Sequence, residues 1–133
     1  MRTIRSVWSA PVLALVLAGP AHAGVLATPV TSTVSLPADV QCNGVNVGES
    51  PIASLTARLV PTPQSVALFG SAVVEETCVN VAPGEICGPS ISVPAGKGFA
   101  GHCKVIFTGS KKNVRGSIFI QGFGNVVQEL PAE

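Results

Sequence analysis

Four cysteines, Cys42, Cys78, Cys87 and Cys103, follow a segment with the form of a secretory signal peptide. No other feature limits the chain so strongly. Arg2 and Arg5 precede an apolar run over residues 11–18, and Ala21-His22-Ala23 forms an A-x-A cleavage site. The run is far shorter than the ~20 apolar residues that span a bilayer. The expected division is therefore a signal peptide over residues 1–23 and one secreted or periplasmic domain over residues 24–133. No membrane span is expected after cleavage. An even number of cysteines in an oxidising compartment implies disulfides.

Four cysteines allow three pairings. Cys78 and Cys87 flank Pro83-Gly84, a turn that would bring them together on the arms of a hairpin. Cys42 would then pair with Cys103, favoured over Cys42–Cys78 with Cys87–Cys103. Loop-closure entropy assigns about 4 kcal/mol to the long link and somewhat under ~3 kcal/mol to the short one. Rival uses of the cysteines lack partners. No C-x-x-C motif and no zinc-type spacing occurs. Residues 24–133 contain one histidine, His102, and no methionine, too few for a blue-copper site. No metal and no cofactor is expected.

The 133 residues are 47% hydrophobic but only 11% charged, too few charges to coat amphipathic surface helices. Strand patterns fill the chain instead. Over residues 99–108, Phe99, Gly101, Cys103, Val105 and Phe107 occupy one face, and Ala100, His102, Lys104, Ile106 and Thr108 the other. Val114, Ile118 and Ile120 alternate with Arg115, Ser117 and Gln121. The loop over residues 109–113 reads as the turn of a hairpin between these two runs. Further strands are expected at residues 25–36, 39–47, 52–60, 65–69, 72–81, 86–93 and 126–130, with Pro29 marking the first as an edge. Seven to nine short strands at this spacing predict an all-β fold, an antiparallel immunoglobulin-like β-sandwich stapled by disulfides. A small β-barrel is the alternative.

Three short motifs carry a family resemblance. They are Asn46-Val47-Gly48-Glu49-Ser50-Pro51, Val81-Ala82-Pro83-Gly84-Glu85 and Gly101-His102-Cys103-Lys104-Val105. Together they resemble the CARDB-type immunoglobulin-like modules of bacterial secreted proteins. His102 or Cys103 stands where those modules carry an aromatic residue. The resemblance implies a sandwich with an adhesive or binding role, and it brings no catalytic residues.

Charge and motif content narrow the function. Loss of Arg2 and Arg5 leaves six basic against seven acidic residues, a field too weak to steer nucleic acid. No G-x-S-x-G elbow or phosphate loop is present. A catalytic triad would have to use His102 with Asp39, the chain's one aspartate. Glu75 and Glu76 are adjacent, so on a strand they point to opposite faces. The reading is a non-enzymatic, monomeric secreted module with a structural, adhesive or ligand-binding role. Its partner would be an envelope component, a polysaccharide or a protein, with no nucleic acid. The candidate surface is anion-binding: Lys111, Lys112 and Arg115, with Lys104 nearby. A small secreted hydrolase or a protease-inhibitor-like effector is the alternative.

Overall fold

The alternation read from the sequence becomes a ladder of buried and exposed residues. The computed structural model describes residues 23–32, 37–65, 73–122 and 125–133. The apolar run and Ala21-His22 of the expected signal peptide, Phe69 and Phe123 lie outside the described residues. Ten strands run in order: β1 (Ala23–Ala27), β2 (Thr31–Ser32), β3 (Ala38–Asn46), β4 (Ile52–Pro61) and β5 (Val74–Val81). β6 (Ile86–Cys87), β7 (Ser90–Val93), β8 (Ala100–Thr108), β9 (Val114–Gly122) and β10 (Asn125–Pro131) complete them. A 3-10 turn covers Lys111–Asn113. Among the described residues no helix is long and apolar enough to cross a membrane.

Ten strands exceed the expected number because two edge runs are broken. The first breaks between β1 and β2, at Thr28 and Pro29. Proline donates no hydrogen bond, and the buried Thr28 closes the gap. Its Oγ1 accepts the Cys103 N–H at 2.9 Å, while its own N–H donates to the Cys103 carbonyl at 2.9 Å. The second break, at Gly88 and Pro89, separates β6 from β7. A Cβ on Gly88 would stand 1.7 Å from the Cys42 carbonyl oxygen, so only glycine permits this approach. The strand expected at residues 65–69 is not seen at Ser65, where residues 63–65 are helical; residues 66–69 lie outside the described residues.

The strands form two antiparallel sheets and no closed barrel. The first has the order β1-β8-β4-β5, with β2 also on β8. The second has the order β10-β9-β3-β6, with β7 also on β3. The molecule is thus a sandwich of the immunoglobulin-like kind, with apolar faces together and one disulfide between interior strands. Leu55, Ala57, Leu59, Cys103, Val105 and Phe107 of the first sheet meet Val40, Cys42, Val114, Ile118 and Ile120 of the second; all are buried.

Two expected hairpins are not hairpins. β8 and β9 lie in different sheets, and so do β5 and β6. Residues 109–113 and 82–85 carry the chain across the sandwich instead. Alternation alone does not distinguish the cases, because a crossing loop also leaves each strand's apolar side facing the core. The turn at residues 82–85 still has the expected type II chemistry. Gly84 has φ +81°, and the Glu85 N–H donates to the Ala82 carbonyl at 3.0 Å. True hairpin partners are β4 with β5 and β9 with β10.

Both disulfides therefore join the sheets. Cys42–Cys103 links β3 to β8 across the middle, with both residues fully buried. Cys78–Cys87 links β5 to β6 along one side, with Cys78 half-buried. The opposite side is closed by the C-terminus. Ala27 and Glu133 exchange N–H···O bonds of 3.2 Å each, and the Ala132 N–H donates to the Gly116 carbonyl at 2.7 Å. No described cysteine is free, and two structural disulfides belong to an oxidising compartment rather than the reducing cytosol.

Burial predicts the order in which reductant opens the bonds. Graded reduction with alkylation trapping should label Cys78 and Cys87 first, while Cys42 and Cys103 become reactive only on global unfolding. Simultaneous labelling of all four would contradict the burial argument. The double substitution Cys42→Ala with Cys103→Ala should cost about 4 kcal/mol in urea unfolding.

Candidate functional site

Three sheet-crossing loops gather at one end of the sandwich: residues 47–51, 82–85 and 109–113. What holds them is Asn46, the last residue of β3, which is fully buried. Its inward position follows from the period of two that also buries Val40, Cys42 and Gly44. The Asn46 Nδ2 donates to the Val81 carbonyl at 2.8 Å and the Ser50 carbonyl at 2.9 Å. Its Oδ1 accepts the Gly48 N–H at 2.9 Å. Its backbone N–H donates to the Glu85 carbonyl at 3.2 Å, and its carbonyl accepts the Gly84 N–H at 2.7 Å. One residue beyond, the Val47 N–H donates to the Asn113 carbonyl at 2.9 Å. Asn46 thus fixes two loops directly, the first by its buried amide and the second by its backbone, and its neighbour Val47 fixes the third.

The cations sit on this platform. Lys111 and Lys112 are exposed in the 3-10 turn, and Arg115 is exposed two residues into β9. The Arg115 Nη1 donates to the Val114 carbonyl at 3.1 Å, leaving most of the guanidinium to solvent. None of the three pairs with a carboxylate among the described residues. The described ion pair lies elsewhere, with Arg58 Nε 2.6 Å from Glu75 Oε2. Exposed Glu49 and Glu85 occupy the neighbouring loops, so the end carries both signs with cations in excess.

Lys104 does not join this group. It lies mid-strand in β8, opposite Ala27 and Arg58, on the outer face of the first sheet. At ~3.3 Å per residue it stands roughly 15 Å along the strand from Gly109. Arg115 points from the outer face of the second sheet. Nearness in sequence placed Lys104 with the tip, but strand extension carries it away.

Other candidates are also separated. His102 lies on the outer face of the first sheet opposite Val60, whereas Asp39 lies on the outer face of the second and accepts the Ser92 hydroxyl at 2.6 Å. A triad cannot join opposite faces of a sandwich. Glu76 turns toward the open edge between sheets, where its Oε2 accepts the Gly88 N–H at 3.1 Å, while Glu75 faces outward to Arg58. No cluster of three or more His, Cys, Asp or Glu side chains with metal-binding proximity occurs among the described residues.

A shallow hollow of about 300 Å³ opens between the first and third loops, bordered by Ser50, Pro51, Ala53, Thr108, Ser110 and Asn113. In the sequence Asn46 and Ser50 belong to a turn motif and Ser110 and Asn113 to a loop, and none of the four is marked as a site residue. The available signal was Asn46-x-Gly48, the pattern of an asparagine that bonds the backbone two residues on.

Asn46→Leu should destabilise the fold by about 3 kcal/mol, because two carbonyls and one N–H lose their buried partner. Asn46→Asp should be least stable at neutral pH. A carboxylate meets two carbonyl oxygens there, which raises its folded pKa, so stability falls as pH rises past the ordinary Asp range. Urea unfolding of the Asn46→Asp variant at about pH 4 and pH 7 checks this; equal losses would remove the amide-hub assignment.

In comparisons with known proteins, the chain matches no family model, no curated protein and no solved structure.

Proposed function

We propose that this chain is a secreted, non-catalytic binding module that holds an anionic polymer at the cell envelope or outside the cell. The supporting observation is the placement of Lys111, Lys112 and Arg115. Three exposed cations, with no carboxylate partner among the described residues, stand at one end of a twice-bridged scaffold. Such a site costs little entropy to order, because Asn46 and the Val47–Asn113 bond already fix the loops. Charged contacts supply attraction and fast encounter, weakened by salt.

Kinship with CARDB-type modules is part of the same proposal. Two of the three motifs behind that likeness fall on the loop end, at residues 46–51 and 81–85. The third lies within β8. An adhesive role fits a surface of loops on a stiff frame, where binding residues vary without disturbing the core.

The test is retention on immobilised polygalacturonate across a salt gradient. The wild-type protein should bind at low salt and elute as ionic strength rises. The variant Lys111→Ala, Lys112→Ala, Arg115→Ala should lose roughly 100-fold in affinity at low salt. Lys104→Ala should change little, given its place on the other face. Equal retention of the triple variant and the wild type would refute the proposal.

A further inference from the structure

The hollow beside the lysines has a chemistry that charge attraction does not use. Its rim combines three polar side chains, Ser50, Ser110 and Asn113, with no hydrogen-bond partner among the described residues. The backbones beneath them are held. The Ser50 carbonyl accepts from Asn46, the Asn113 carbonyl accepts from Val47, and the Asn113 N–H donates to the Ser110 carbonyl at 3.0 Å. Two hydroxyls and an amide therefore rise from a held backbone, with Ser50 and Ser110 exposed and Asn113 half-buried, open to an incoming ligand. Thr108 is already engaged, its Oγ1 accepting the Ser54 N–H at 3.2 Å. Pro51 and Ala53 give the hollow an aliphatic side.

We infer that this hollow is a saccharide subsite, and that the ligand is an anionic glycan rather than any polyanion. The inference rests on the anion-binding reading above and names its substrate class. Ring hydroxyls both donate and accept, which suits Ser50, Ser110 and the two ends of the Asn113 amide. The aliphatic side meets the C–H face of a ring. The acidic substituent of the sugar lies toward Lys111 and Lys112, which follow Ser110 directly in the chain. Glu49 precedes Ser50 on the facing loop. Its exposed carboxylate is a further acceptor for sugar hydroxyls at the rim. A volume of about 300 Å³ lies at the small end of ligand pockets, room for one ring and not for a buried oligosaccharide.

The experiment compares polygalacturonate with polyacrylate, both carboxylated, of which only the first carries sugar rings. Wild-type protein should bind polygalacturonate more tightly at matched charge and salt. The double variant Ser110→Ala, Asn113→Ala should lose about tenfold on polygalacturonate, as two lost hydrogen bonds imply, and nothing on polyacrylate. Ser50→Ala should show the same selectivity and serves alone if the double variant does not fold. Unchanged polygalacturonate binding in these variants, or equal wild-type affinity for both polymers, overturns the subsite while leaving the anion-binding reading intact. Failure of the wild-type protein to bind either polymer overturns both.

Discussion

The buried bond between Cys42 and Cys103 is the constraint on which the remaining architecture depends. It joins an interior strand of each sheet, where neither sulfur meets solvent. A domain of this size has a net stability of roughly 5–15 kcal/mol, so a link of about 4 kcal/mol is a large share. The side disulfide and the C-terminal bridge hold the two long edges. The sheets are thereby fixed near both margins and through the centre.

Strand β3 connects this frame to the proposed site. Its inward positions are Val40, Cys42, Gly44 and Asn46. The first fills the core and the second bonds the facing sheet. The third leaves room for Leu55 and Val105, whose side chains would stand 2.7 and 2.9 Å from a Cβ at Gly44. The fourth gathers the loops. A single run of alternate residues thus passes from hydrophobic packing to covalent linkage to polar organisation within nine residues. The loop end inherits its rigidity from the core because its hub is itself a core residue.

Much of this was legible in the residue pattern. The faces of β8 and β9 followed from strict alternation, and Phe99, Phe107, Val114, Ile118 and Ile120 are buried as that alternation requires. The pairing of the cysteines was also favoured correctly, although the hairpin behind it was not the reason. Cys78 and Cys87 meet because the chain crosses between sheets at Pro83-Gly84. Whether a short loop folds back or crosses depends on contacts far along the chain, which local pattern does not contain. The same limit hid Asn46: its turn motif was visible, but bonds to Val81 and Glu85 lie more than thirty residues away. Lys104 shows the converse error, in which short separation was read as proximity despite an extended backbone.

The most direct measurement is disulfide mapping of the non-reduced protein by proteolysis and mass spectrometry. The clamped-sheet account predicts one linked peptide pair containing Cys42 and Cys103 and another containing Cys78 and Cys87. Pairs joining Cys42 to Cys78 and Cys87 to Cys103, or four thiols open to alkylation, would contradict it.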